Sequence, residues 1–366
     1  MASETTRLKN KIPLIAGTKP SVKNSQLLIS TGIPSLDHMI GGGLPIGSIF
    51  VIEEDKYDLY AKVMLKYFIA EGIVTSQPVL VASQDIQPSR LISELPAVVN
   101  DSDSQAKAIN LEQMEIAWRY QNMRVVDSSP TGSQVFGHFY DLTKSMQHEV
   151  LEQADIKEWH QDDLEGQNSM FENIAYADLL HTIQKTLHDG KYSVNETPEK
   201  RKILRIAIHS LGSRLWLCNR INSSHRDLLK FLYCLRALLR NSYAVGLITT
   251  PINTFNNTDV VVEKIEHMSD IAIRLESFAG SAKETNPLFK DYHGLLYINK
   301  LSALNTLAPQ CPQFRDLVFK LRRKKFIIEI LHLPPEFADT TQREQDDTII
   351  SDTGCMSGSR KSALDF

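Results

Sequence analysis

The chain is poor in cysteine, has no long apolar run and carries no large excess of charge of either sign. Its 366 residues include four cysteines, Cys218, Cys234, Cys311 and Cys355, far apart and without a C-x-x-C pair. That spacing argues against a disulfide framework or a zinc site and fits reduced thiols in an intracellular protein. No uninterrupted apolar stretch approaches the ~20 residues needed to span a bilayer, and the opening MASETTRLKNK lacks the apolar core of a secretion signal. The expectation is a soluble intracellular chain that does not enter a membrane. The sequons at Asn195, Asn222 and Asn256 are then chance matches, because glycosylation requires the secretory route. A net charge of −4 and a pI near 6.3 supply no global attraction for nucleic acid. Any such binding must come from a local patch or from partner subunits.

What is present is enough apolar material for a substantial core: 42% hydrophobic residues against 23% charged. The length suits one large α/β domain with insertions, or one domain with a small annex. "GGGLPIGSIFVIEED" reads as a Gly-rich turn leading into a buried strand, Ser48 to Ile52. Residues 59–71 then place Tyr60, Val63, Met64, Tyr67 and Phe68 at helical spacing, and "PVLVAS" (78–83) is the next strand. Strand, helix and strand in this order predict a βαβ unit and a largely parallel sheet. Farther on, a helix buries Leu179, Leu180, Ile183 and Leu187, "ILRIAIHSL" from 203 is a strand, and residues 226–240 form a helix with Leu228, Leu229, Leu232, Leu235, Leu238 and Leu239 on its inner side. "AVGLITTP" (244–251), "SDIAIRLESF", "GLLYINKL" and "LVFKLRRKKFIIEILHLPPE" supply further strands, the last two antiparallel at the sheet edge. The expected organisation is a flexible segment over 1–25, a single domain over 26–337 with polar inserts near 100–109, 158–170 and 190–202, and a flexible tail over 338–366.

The run "STGIPSLDHMIGGGLPIGSIFVIEED" resembles the opening of RecA-like and KaiC-like ATPases, in which T-G-x-x-x-L-D, a Gly-rich turn and a strand lead into a phosphate loop. Thr31, Gly32, Leu36, Asp37, Gly41 to Gly43, Pro45 and Gly47 match, as does the "EGI" at 71–73. Phosphate loops work because glycines let backbone N–H groups surround the phosphates, a Lys reaches the terminal phosphates and a Ser/Thr hydroxyl binds magnesium. Extended without gaps, the resemblance puts the glycine positions on Asp55, Asp58 and Tyr60, the Lys position on Ala61 and the Ser/Thr position on Lys62. His209, followed by Ser210, stands where these ATPases keep the magnesium-ordering Asp, and a neutral imidazole is a poor ligand for a hard cation. Neither the Walker A nor the Walker B element is intact. Lys56 or Lys62 as a shifted phosphate lysine would have no glycine cradle to complete. Glu53, Glu54, Asp55 and Asp58 place negative charge where a polyphosphate needs positive charge. They could instead bind a divalent ion; the plainer reading, which is preferred, is a solvated helix start.

Lys320, Arg322, Arg323, Lys324 and Lys325 form the densest basic run, expected at an exposed edge or hairpin turn. Arg322, Arg323, Lys324 and Lys325 are candidate contacts to RNA phosphates; edge charges that block unwanted strand pairing are the plainer alternative. Trp118, Arg119 and Tyr120 could stack on bases, but a helix end docked on the core is preferred. Trp216, beside Cys218 and Arg220, is placed on a loop beyond the strand ending at His209. Eleven scattered histidines permit a hydrolytic triad on paper, with no nucleophile elbow or metal-ligand spacing to support it.

The longer runs "IAGTKPSVKNSQLLISTGIPSLD", "VIEEDKY", "IAWRYQ", "FGHFYDLTK", "ETNPLFKDYHGLLYINKL" and "FKLRRKKFIIEILHLPPE" are similar to the family of the fourth subunit of the Elongator complex, over most of the chain apart from its polar inserts and tail. That resemblance implies an accessory subunit with a RecA-like fold, no phosphate loop of its own, no cofactor and no catalytic residue. It implies assembly with subunits 5 and 6 into a hexameric ring of two heterotrimers that binds tRNA. The ring would support the catalytic Elongator subcomplex, which installs carboxymethyl-type modifications at C5 of wobble uridine. It implies residence in cytoplasm and nucleus. Two alternatives stand beside it: an ATPase subunit with a displaced site at a subunit interface, and an accessory factor of transcription elongation.

Overall fold

The structure is a computed structural model that describes residues 15–21, 26–99, 136–161, 170–216, 221–252, 258–306, 312, 316–322 and 324–331. In chain order the first half holds β1 (Thr18–Pro20), β2 (Leu27–Ile29), α1 (Pro34–Met39), β3 (Leu44–Pro45), β4 (Ile49–Glu53), α2 (Tyr60–Val74), β5 (Val79–Ser83), α3 (Pro88–Ser93), β6 (Pro96–Val98), β7 (Tyr140–Ser145), α4 (His148–Gln153) and β8 (Ile156–Trp159). The second half holds α5 (Ile174–Asp189), β9 (Leu204–His209), α6 (Ile221–Arg240), β10 (Ala244–Thr250), α7 (Thr258–Met268), β11 (Ile271–Ser277), β12 (Gly294–Lys300), β13 (Leu317–Leu321) and β14 (Phe326–Ile330). Nine strands form the central sheet in the order β14-β13-β12-β11-β4-β10-β9-β5-β8. The six from β11 to β8 run parallel, and β12, β13 and β14 add an antiparallel edge. This is an α/β architecture with helices on both faces of a mostly parallel sheet, compatible with a RecA-like fold.

The continuous apolar runs are explained by burial of the parallel strands on both faces. Along β4, Phe50 and Ile52 join the core on the α2 side, while Ile49 and Val51 join the core under α5, α6 and α7. Period-two alternation repeats in β5, where Val79 and Val81 face one core and Leu80 and Ala82 the other. On α6, Leu228, Phe231, Leu232, Leu235 and Leu239 return every three or four residues and form its buried stripe.

Several features differ from the sequence reading. Ile15 is buried and β1 pairs with β2, so folded structure begins before residue 26. Glu158 and Trp159, read as the start of a polar insert, belong to the edge strand β8. Helix α6 begins at Ile221 rather than at 226, while the antiparallel edge expected of the last two runs is present, the final run folding into the hairpin β13–β14 beside β12. Trp216 does lie in the connection beyond β9, in a 3-10 turn (Arg214–Trp216), where it is fully buried and stacks on Trp159 with ring centroids 5.6 Å apart. Trp118, Arg119, Tyr120, Cys218, Arg220, Cys311, Cys355 and the tail from 332 lie outside the described residues. Among the described residues no helix is long and apolar enough to cross a membrane.

Sheet order also positions a site. Strand β4 lies between β10 and β11, whereas its successor β5 lies beyond β10 and β9. In open α/β sheets the crevice outside the carboxyl ends of such strands is where ligands collect. Here those ends bring Glu53 and Glu54, Ser83, His209 and Thr250 to one rim.

A self-capped phosphate-type site

The segment between β4 and α2, which the resemblance aligns with a phosphate loop, is closed by its own carboxylate. Asp55 Oδ1 accepts hydrogen bonds from the backbone N–H groups of Tyr60 (2.9 Å) and Ala61 (3.2 Å), and Oδ2 accepts from Leu59 N–H (3.2 Å). These are the donors that a helix N-terminus offers to a bound anion. The turn that carries Asp55 back onto them needs Asp58 in the left-handed region, at φ +49°, tied by its N–H to Asp55 O at 3.0 Å. Such a conformation is uncommon outside glycine, with Asp and Asn its most frequent exceptions. Asp55 is 4% exposed, so the phosphate position is filled from within.

The other positions are equally committed. Asp58 Oδ2 meets His209 Nε2 at 2.8 Å and Lys62 Nζ at 3.6 Å. His209 is buried at the end of β9 and its Nδ1 lies 3.2 Å from Ser83 Oγ on β5. The imidazole at the end of β9 therefore pins the loop after β4 to β9 and β5. Tyr60 packs its ring on Phe319 of β13 at 4.7 Å, and Ala61 is fully buried. Ser83, His209 and Asp58 lie in a chain that mimics a hydrolytic triad. Ser83 is wholly buried and accepts a hydrogen bond from Ile86 N–H at 3.2 Å, which leaves no approach for a substrate carbonyl.

The acids here do not form a solvated helix start, which corrects the preferred sequence reading. Glu53, Glu54 and Asp55 are 1%, 6% and 4% exposed. Glu54 accepts from Ser210 Oγ at 3.1 Å, and Ser210 is itself left-handed at φ +54°. Burial pushes the Glu54 carboxyl up to about 8; repulsion from Asp58 and Asp85 adds to this, and the nearby hydroxyls of Thr249 and Ser210 offset part of it. Glu53 is raised in the same sense by burial and by Glu266. Outside this rim, Asp85 accepts from Ser213 Oγ. Glu54, Asp55, Asp58, Asp85, Ser210 and Ser213 border a cleft of about 550 Å³ that also reaches Tyr57, Leu215 and Ile252. Among the described residues no three Asp, Glu, His or Cys side chains converge closely enough to hold one metal ion.

The matched motif upstream has a structural role. Asp37 Oδ1 accepts from Thr31 N–H at 2.8 Å and Oδ2 from Ser30 Oγ at 2.5 Å. Burial raises its carboxyl to about 6 despite these bonds. At Gly32, with φ +85°, an added Cβ would lie 2.4 Å from Tyr67 O, so only glycine lets the T-G turn rest on α2. Beneath it, Glu71 accepts from Tyr140 Oη at 2.6 Å and contacts His138 Nδ1 at 3.1 Å. The fully buried Arg205 donates to Ser30 O (2.8 Å) and Gln77 Oε1 (2.6 Å). Burial alone would raise Glu71, yet His138, Tyr140 and the Arg205 charge hold it below the usual carboxylate value.

The basic run lies far along the chain, at the turn between β13 and β14. Arg322, Lys324 and Lys325 are exposed there, and Arg323 is outside the described residues. They are not equally free: Lys324 pairs with Asp141 at 3.4 Å, Lys325 lies over the Phe139 ring at 5.0 Å, and neighbouring Lys320 is buried against Glu329.

Sheet order and crevice fit a RecA-like domain in which the loop after β4 is closed by its own side chains. A family model described as PAXNEB protein matches residues 11–366. The chain is 42% identical to Elongator complex protein 4 of Mus musculus, over 96% of this chain and 89% of that protein. It is 42% identical to Elongator complex protein 4 of Danio rerio over 92% and 89%, and 40% identical to that of Homo sapiens over 100% and 92%. The chain belongs to the Elongator complex protein 4 family and is an Elongator subunit.

Proposed function

We propose that this subunit acts without catalysis of its own, in a ring of two heterotrimers with Elongator subunits 5 and 6. The ring binds tRNA and supports the catalytic subcomplex in modifying C5 of wobble uridine, in cytoplasm and nucleus. The observation that carries the non-catalytic part is Asp55: its carboxylate takes three backbone N–H groups at the start of α2, leaving a polyphosphate neither donors nor a favourable charge. Family membership supports the assembly, and the exposed turn at Arg322, Lys324 and Lys325 offers a local basic surface on an otherwise acidic chain.

A subunit can keep the surfaces of a RecA-like domain without its chemistry, because assembly depends on surface faces and chemistry on a separate site. The test is removal of the gene followed by mass spectrometry of tRNA nucleosides. Carboxymethyl-type wobble uridines should disappear and return with the wild-type chain. Normal levels in the deletion strain would refute the reading.

A further inference from the structure

On the face of the sheet opposite α2, helices α6 and α7 pack side by side and leave a groove of about 610 Å³ between them. Its floor is apolar, with Leu229, Val261 and Met268, and its walls are Tyr233 and Val260, which are 65% and 52% exposed. Large apolar side chains gathered around one groove, rather than scattered singly, mark a surface that something covers. The charge around it is one-sided. Arg226 and Lys264 stand exposed along the groove and Lys230 borders it, while among the described residues no Asp or Glu lines it, on a chain whose net charge is −4. Lys230 is already engaged by Met170 O at 2.7 Å and Asp227 at 3.6 Å, so Arg226 and Lys264 are the cations that an incoming group meets. An aliphatic floor does not suit single-stranded nucleic acid, whose bases stack on a series of aromatic faces. It suits a peptide with apolar side chains and acidic flanks.

We propose that this groove receives residues 344–352, EQDDTIISD, of the chain's own C-terminal tail. The segment holds Glu344, Asp346, Asp347 and Asp352, no base, and the adjacent pair Ile349 and Ile350. The isoleucines bury against Leu229, Val261 and Met268, and the acids face Arg226 and Lys264. The reach is sufficient. Ile330, next to the end of β14, lies level with Leu275 of β11 through Leu317 and Leu296, three strand spacings or about 14 Å away. Helix α7 leads into β11 through Ser269 and Asp270. Residues 332–344 between β14 and the acidic segment extend to about 40 Å when stretched. A tether of this length also raises the local concentration of the segment to the millimolar range, so that a contact too weak to hold between separate chains forms within one.

The full-length chain, diluted until light scattering shows a monomer, is compared with Ile349→Asp/Ile350→Asp and with Arg226→Glu/Lys264→Glu. Hydrogen exchange read by mass spectrometry follows the tail, and alkylation of Cys234, which lines the groove, follows the groove. Amides of 344–352 are expected to exchange roughly tenfold more slowly in the wild type than in either variant. Cys234 is expected to alkylate several-fold faster in Ile349→Asp/Ile350→Asp than in the wild type. A charge swap completes the test: adding Glu344→Lys, Asp346→Lys and Asp347→Lys to Arg226→Glu/Lys264→Glu should restore slow exchange at low salt. Exchange of 344–352 in the wild type at the rate of a free peptide, or equal Cys234 alkylation in wild type and Ile349→Asp/Ile350→Asp, would overturn the proposal. So would protection that appears only where the chain dimerises, which assigns the groove to a second copy, or only when RNA or another protein is added.

Discussion

Glu54→Gln should stabilise the isolated chain, and by an amount that grows with pH. The ordinary Glu value of 4.5 applies to the unfolded chain, whereas burial raises Glu54 to about 8 in the fold. The folded state therefore holds a proton that the unfolded state releases, and the associated stability is complete below pH 4.5 and lost as pH rises through 8. At pH 7 the difference spans about 2.5 pH units, or roughly 3 kcal/mol at 1.36 kcal/mol per unit. Gln has the same shape, is permanently neutral and can still accept from Ser210 Oγ through its amide oxygen. The variant should thus gain on the order of 2–3 kcal/mol at pH 7 and little at pH 4.5. Urea unfolding of both chains at several pH values measures this directly. A variant equal to or less stable than wild type at pH 8, or a gain independent of pH, would refute the assignment of Glu54 as a buried, strained carboxyl.

Three further outcomes follow from other parts of the structure. Asp55→Ala removes the cap of α2 and should lower stability by about 1–2 kcal/mol, with sulfate then stabilising the variant more than wild type because the vacated N–H groups attract an anion; an identical sulfate response in both chains would contradict the cap's role. Arg205→Met leaves Ser30 O and Gln77 Oε1 without their buried donor and removes a favourable charge from the neighbourhood of Glu71, and should lower stability by roughly 1–3 kcal/mol in denaturant titration. Glu71, held below its usual value, contributes stability above pH 4.5 that fades as pH falls, so Glu71→Gln should flatten the acid limb of the stability profile. Neutralising Arg322, Arg323, Lys324 and Lys325 together should weaken tRNA binding by the assembled complex and reduce its salt dependence without dispersing the complex; unchanged binding at several salt concentrations would remove that turn from the tRNA surface.

Much of the fold was legible because buried parallel strands cannot avoid apolar runs. "SIFVI", "PVLVAS", "ILRIAIH" and "AVGLITT" became β4, β5, β9 and β10 within a residue or two. The absence of glycine between β4 and α2 is visible in one dimension; where Asp55, Asp58 and Tyr60 go in the fold is not. Acids after a strand look solvated in sequence, and only the left-handed turn at Asp58 carries Asp55 onto the start of α2. The link from Asp58 through His209 to Ser83 joins residues more than a hundred positions apart and depends on strand order. One signal for the buried ionic network was available: Arg205 interrupts an otherwise apolar strand, and Glu71 sits on the buried face of α2, where an unpaired charge would be too costly to keep. The burial of Trp216 was not legible, because a loop position after a strand says nothing about the aromatic shelf of Trp159 and Tyr176 that receives it.

The most direct test of the central claim is calorimetric titration of magnesium-ATP into the purified, isolated chain. With Asp55 holding the donors at the start of α2 and Glu54 and Asp58 beside it, no saturable binding is expected up to millimolar nucleotide. Micromolar, saturable binding that is abolished by substitution of Asp55 or Lys62 would contradict the account.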